Sequence, residues 1–159
     1  MNQVEVQEIR FYRVDDEYGC FSNFSAHPLT LKGKIWPTVE HYFQAQKFAG
    51  TEHEHSIRLV SSPMIAARQG RDRKKPLRKD WESVKDSIMR EAVFAKFTQH
   101  EDLKRVLLST GDAKLIEDTP RDSYWGCGKT GKGLNMLGQI LMSVREEIRR
   151  NEEGKQNEE

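Results

Sequence analysis

The chain has 159 residues, enough for one folded domain with its own core and too few for a second of typical size. Its 26 basic residues are nearly matched by 25 acidic ones, a formal charge of +1, which excludes the uniform positive field of a nucleic-acid coat protein, so any basic surface has to be local. Two cysteines, Cys20 and Cys127, are too few for a secreted disulfide scaffold, the first residues lack the apolar core of a signal peptide, and no run approaches the roughly 18 apolar residues of a membrane span; a soluble, cytoplasmic protein without membrane contact is expected.

Residues 8–14, EIRFYRV, are rich in β-branched and aromatic types, and Leu29 to Trp36 reads as a hairpin turning at Lys32-Gly33, so a small antiparallel sheet is expected to open the chain. After Pro37 the period becomes helical: Thr38 caps a helix running to about Ala49, and Gly50 stops it. Ser62-Pro63 predicts another helix to about Arg71. Asp80 caps a long one in which Trp81, Val84, Ile88, Ala92 and Ala95 recur at core spacing to Thr98. Glu101 to Leu108 is a shorter helix, and Ala113 to Glu117 is ambiguous between strand and helical turn. A glycine-rich loop from Ser123 to Gly133 precedes a helix from Leu134 to Arg150. The predicted fold is therefore α+β, a single mostly helical domain over residues 1–150 with a small N-terminal sheet, and residues 151–159 are expected to be a disordered polar tail.

The most informative helix is WPTVEHYFQAQKF, residues 36–48. At about 100° per residue, Glu40, Gln44 and Lys47 fall within about 60° of one another, flanked by Phe43 and Phe48. Val39, Tyr42, Ala45 and Ala49 fill much of the remaining circumference, so a carboxylate, an amide and an amine share one line on a largely buried helix. Burial favours the neutral forms of Glu40 and Lys47, as acid/base or nucleophilic chemistry near pH 7 requires, while their mutual attraction opposes it. A solvated stripe or a buried ion pair without chemistry is the alternative. Glu40 and Lys47 are two turns apart, roughly 10 Å between α-carbons, which leaves room for a ligand between their tips. His41 points away and reads as a packing or hydrogen-bonding residue.

The second constellation is DSYWGCGKTGKGLN, residues 122–135. Four glycines in eight residues allow close backbone approach to a ligand, and the following helix offers amides to an anion, which points to a phosphate site; a plain surface loop is the alternative. Gly126 to Lys132 matches the first part of a Walker A pattern, but Gly133 replaces its Ser/Thr and no apolar strand precedes it. Trp125 offers a stacking face for a base, with Asp122 near enough in sequence to hydrogen-bond the same ligand. Between Arg68 and Lys79 lie seven basic residues against the single acid Asp72. They read as a solvated linker, as a source of a phosphate contact with Arg71 first, or as a track for a nucleic-acid backbone. The aromatic and amide groups of Phe21-Ser22-Asn23-Phe24 suit either a base sandwich or a core.

Taken together, FSNF at 21–24, WPTVEHYFQAQKF at 36–48, ARQGRDRKKPLRKDWESVKDSIM at 67–89 and DSYWGCGKTGKGLNMLGQILM at 122–142 resemble the YbiA-like or NADAR family of N-glycosidases, from about Phe11 to Arg149. The resemblance implies a helical α+β fold and cleavage of N-glycosidic bonds to ribose. Short members act on ribosylaminopyrimidine phosphates of riboflavin synthesis, and others remove ADP-ribose from guanine; this chain resembles the short kind. Matched by position, Glu40 and Lys47 are the acidic and lysine residues, Asp122, Trp125 and Gly126 the D-x-x-W-G block, and Asn135 the family's amide. Trp36 and Trp81, within matching blocks, join Phe21, Ser22, Asn23, Gln44 and Arg71 as candidate substrate contacts.

Two routes to C–N cleavage fit these residues. A carboxylate, Glu40 or Asp122, can stabilise an oxocarbenium-like state and activate water. Alternatively Lys47 attacks the anomeric carbon of a ring-opened sugar to form an imine, with Glu40 moving protons. The second suits a glycosylamine, which opens readily. Neither needs a metal or another cofactor. The expected partner is a small ribosyl phosphate, with DNA as partner only if ADP-ribosylated guanine is the substrate; a non-catalytic nucleotide-binding module is the remaining alternative.

Overall fold

In the computed structural model the described residues are 7–158. They fall into two compact units, residues 23–99 and residues 7–22 with 100–158. In chain order the elements are β1 (Glu8–Phe11), a 3-10 turn (Gly19–Phe21), β2 (Leu29–Leu31), β3 (Lys34–Trp36), α1 (Val39–Gln46), α2 (Glu52–Arg58), α3 (Pro63–Gly70), α4 (Trp81–Gln99), α5 (Glu101–Ser109), β4 (Lys114–Glu117) and α6 (Met136–Glu158). The fold is α+β, with two-stranded sheets and a majority of helices.

In the unit of residues 23–99, β2 and β3 form the expected antiparallel hairpin, with Leu29 opposite Trp36 and Leu31 opposite Lys34. Lys32 (φ 56°) and Gly33 (φ 71°) both take left-handed conformations, the geometry whose twist suits a two-residue hairpin turn. The Lys32 ammonium then reaches Gln46 Oε1 at 2.8 Å and Glu54 Oε2 at 3.0 Å. Thr38 caps α1, its hydroxyl accepting from the His41 amide at 3.1 Å. Ser62 caps α3 in the same way through Ile65, with Pro63 in the first turn. The expected cap of α4 differs: the Asp80 carboxylate is bound by Arg78, Nε to Oδ1 at 2.6 Å, because a guanidinium two residues away offers it charge-assisted bonds. Helix α1 is buried along its length and meets α2, α3 and α4. Trp36, Tyr42, Phe48, Ile57, Met89 and Phe97 fill this unit's core.

In the other unit, β1 is shorter than residues 8–14 and does not extend the hairpin. It pairs in parallel with β4, from Glu8 opposite Lys114 to Phe11 opposite Glu117, which resolves the ambiguity at 113–117 as a strand. Helix α6 buries Leu137, Leu141, Val144 and Ile148 on one face, as expected. It continues past Arg150 to Glu158, over residues where the sequence suggested a polar tail. Glu, Lys and Gln are good helix formers, and Lys104 holds Glu152 at 3.1 Å. Residues 1–6, part of the leader expectation, and Glu159, the last of the tail, lie outside the described residues. Among the described residues no helix is long and apolar enough to cross a membrane.

Candidate active site

Helical spacing puts Glu40, Gln44 and Lys47 on one line of α1, and the line survives although regular helix stops at Gln46. Lys47 is the C-cap, still in right-handed helical dihedrals, and its amide bonds the Gln44 carbonyl at 3.3 Å. Glu40 is 8% exposed and Gln44 5%, which rules out a solvated stripe. Gln44 Nε2 donates to Glu40 Oε1 at 2.8 Å, one helical turn apart.

The Lys47 ammonium donates to the Gly70 carbonyl at 3.3 Å. It also stands 5.9 Å from the Phe43 ring and 5.8 Å from that of Trp81, and those two rings lie 5.0 Å apart. Removal of the amine from water between these groups pushes its pKa below the ordinary lysine range; Glu40 opposes the shift, and the positive charges of Arg71 and Lys85 add to it. The population of neutral, nucleophilic amine rises accordingly.

A cavity of about 270 Å³ opens at Lys47, lined by Phe48, Gly70, Arg71, Asp72, Arg73, Lys75, Leu77 and Trp81. Its one acid, Asp72, is engaged, accepting from the Lys74 amide at 3.0 Å and facing Lys75 at 3.5 Å. Arg71 and Arg73 have no acidic partner among the described residues. The cavity therefore joins an amine, an aromatic wall and guanidinium groups able to bind an anion. Such a set of groups suits an amine attacking an electrophilic carbon in an anionic ligand.

The NADAR domain profile matches residues 10–149. The chain belongs to the NADAR domain family. It is 59% identical over 140 residues to N-glycosidase YbiA of Escherichia coli (strain K12), covering 88% of each chain. The NMR structure of the E. coli protein YbiA superposes with a TM-score of 0.87 at 55% identity, over 94% of this chain and 89% of that one. A longer relative, the chloroplastic riboflavin biosynthesis protein PYRR of Zea mays, is 43% identical over 91% of this chain and 26% of its own length.

The other expected site residues are divided between the two units. Trp36 is fully buried (0% exposed), its Nε1 donating to the Leu31 carbonyl at 2.9 Å and its ring edge-on to Tyr42 at 4.9 Å. Trp81, 6% exposed, lines the Lys47 cavity. The Asn23 carbonyl accepts from the Glu40 amide at 3.1 Å, and its side-chain amide meets Met89 Sδ at 3.5 Å. His41 packs as expected: Nδ1 lies 2.8 Å from Thr38 Oγ1 and Nε2 3.0 Å from the Val60 carbonyl, and burial lowers its pKa against the opposing Val60 bond.

In the second unit, Phe21 is buried between Phe11, edge-on at 5.7 Å, and Tyr18, stacked at 5.5 Å; Ser22 follows at the end of the 3-10 turn, its amide on the Gly19 carbonyl at 3.0 Å. Asp122 Oδ1 accepts from the amides of Tyr124 at 2.9 Å and Trp125 at 2.8 Å, an Asx turn. Trp125 stays half-buried with Tyr124 edge-on to it at 4.9 Å. At Gly126 a β-carbon would lie 2.4 Å from Thr119 Cγ2, so packing within the loop requires that glycine. Asn135 (φ 50°) clamps β4: Oδ1 accepts from the Glu117 amide at 2.9 Å and Nδ2 donates to the Leu115 carbonyl at 2.8 Å. The amides expected to face a phosphate are occupied, Asn135 by the Gly126 carbonyl, Met136 by Tyr124 and Leu137 by Trp125. The loop's carbonyls thus satisfy these amides at the start of α6 themselves.

Sequence reasoning does not single out Gly70, whose carbonyl holds Lys47. Its one signal is a glycine within a predicted helix, which costs about 1 kcal/mol relative to alanine and so asks for a packing reason.

Proposed function

We propose that this chain hydrolyses the N-glycosidic bond of ribosylaminopyrimidine phosphates of riboflavin biosynthesis, releasing ribose 5-phosphate and the free aminopyrimidine. It is a hydrolase acting on N-glycosyl bonds, the activity that YbiA carries in its name, and the riboflavin name of PYRR supports the substrate. The observation that carries the reading is Lys47, a partly desolvated amine at the mouth of a basic cavity and on one line with buried Glu40. The family match runs through both units, which supports residues 1–150 as one glycosidase domain. A cytoplasmic location follows from such a substrate.

The substrate's phosphate binds Arg71, with Arg73 beside it, by charge-assisted hydrogen bonds. The ribosylamine opens to an imine. Neutral Lys47 adds to its anomeric carbon, the aminopyrimidine leaves with a proton, and the Lys47 imine that remains is hydrolysed by water to the aldehyde and the free amine. Glu40 takes and returns the protons. Lys47 and Glu40 carry the reaction in this scheme. Asp122, with one carboxylate oxygen committed to two loop amides, shapes the loop that presents Trp125.

Release of ribose 5-phosphate from freshly prepared ribosylaminopyrimidine phosphate is the test, with ADP-ribosylated guanine in DNA assayed in parallel. Turnover of the pyrimidine should fall by about 100-fold or more in Glu40→Gln and Lys47→Ala, and borohydride should attach the sugar to Lys47. Cleavage of the DNA adduct alone reassigns the substrate. Binding without turnover of either overturns the glycosidase in favour of a nucleotide-binding module, and a fully active Lys47→Ala overturns the imine route.

A further inference from the structure

We propose that Gly70 is a positioning residue that sets Glu40 and Lys47 together, holding the amine with its carbonyl and, by having no side chain, admitting the Gln44 amide that holds the carboxylate. This rests on the roles given to Glu40 and Lys47 above. Gly70 closes α3 and is buried, and its carbonyl accepts from Lys47 Nζ at 3.3 Å. A β-carbon on Gly70 would lie 1.9 Å from Gln44 Oε1, 2.6 Å from Cδ and 2.9 Å from Cβ. The Gln44 side chain thus fills the space a larger residue would take, and its Nε2 donates to Glu40 at 2.8 Å.

Two features make this more than close packing. Gln44 Oε1 is buried and has no hydrogen-bond partner, which is costly for an amide that could turn elsewhere. The amide remains where its nitrogen serves Glu40. The φ of Gly70 is also not one that needs glycine, since the left-handed glycines are Gly33, Gly50, Gly111, Gly128 and Gly131. Space against Gln44, not backbone freedom, is what requires glycine at this point, one residue before Arg71 at the cavity's rim. Any side chain at position 70 displaces Gln44, and Glu40 loses a donor that favours its carboxylate form.

The experiment is a cycle of Gly70→Ala, Gln44→Ala and the double variant, read by kinetics and by carbon NMR titration of Glu40 Cδ and Lys47 Cε in the full-length protein. Gly70→Ala should lower kcat by about tenfold or more, with KM changed less, and move the pH profile. Both titrations should move with it. In the Gln44→Ala background only the β-carbon of residue 44, at 2.9 Å, is left to displace, so Gly70→Ala should change kcat and the Glu40 titration far less there than in the wild type, and the double variant should regain thermal stability lost in Gly70→Ala. An equal loss from Gly70→Ala in both backgrounds overturns the proposal, as does a Gln44→Ala enzyme with unchanged kcat and Glu40 titration. The titrations need no substrate. An inactive wild type would therefore sink the glycosidase reading while the coupling of Gly70 to Glu40 and Lys47 is still decided.

Discussion

Lys47 shows how a single residue's surroundings become a pH dependence. Burial, Arg71 and Lys85 lower its pKa and Glu40 raises it, with a net lowering. In the proposed imine route the neutral amine is the nucleophile, so activity should rise with pH as the proton leaves, with the rising limb below the ordinary lysine range near 10.5. Arg71→Gln removes one cation that lowers this pKa. The limb should move to higher pH, and KM for the phosphorylated substrate should rise by about tenfold as a charge-assisted contact is lost. A pH–rate series on both proteins checks it, and an unmoved limb would remove Arg71 from the neighbourhood that tunes the amine. Glu40, Gln44 and Lys47 were legible in the sequence because helical periodicity is local information. Gly70 was not, since a contact spanning 23 positions leaves no periodic trace. Trp36 and Asn135 show the opposite limit. Tryptophan and asparagine suit both cores and ligand sites, and only burial and hydrogen bonding in the fold separate the two uses.

At the scale of elements, the junction of β4, the glycine-rich loop and α6 is held by one side chain. Asn135 accepts from the Glu117 amide and donates to the Leu115 carbonyl from a left-handed backbone conformation. Asn135→Ala leaves two strand groups without their partner and places alanine at positive φ. It should cost about 2–4 kcal/mol and lower Tm by roughly 5–12 °C, while kcat of the folded fraction stays near wild type. A rise in KM with unchanged Tm would instead make Asn135 a ligand contact. Helix starts were readable wherever a cap is a neighbour in sequence, as at Thr38 and Ser62. The cap expected of Asp80 was not, because the sequence does not reveal which of two local partners wins. Nor was the length of α6, whose last turns gain an ion pair from Lys104 on another helix.

For the whole molecule, the near balance of 26 basic and 25 acidic residues leaves electrostatics to local groups, and the basic run is the clearest example. Part of it is committed to structure, with Arg78 on Asp80 and Lys75 on Gln69, and part, Arg71 and Arg73, borders the cavity. The α+β class and five of the six helices among the described residues could be anticipated from period and punctuation, whereas α2, a single short helix between Gly50 and Ser62, was not. The parallel pairing of β1 could not, because strand composition carries no record of a partner near the other end of the chain.

That pairing has a consequence for the order in which the protein is made. A ribosome delivers β1 first and β4 only after residues 23–99 have emerged. The contiguous unit can acquire its structure on the nascent chain, whereas the strand at the beginning must wait, unpaired, for a partner still to be translated. Ribosome-stalled chains in which α4 but not β4 has cleared the exit tunnel should therefore show amide protection in α1, α3 and α4 and none in β1, and protection of β1 should appear only once β4 has cleared it too.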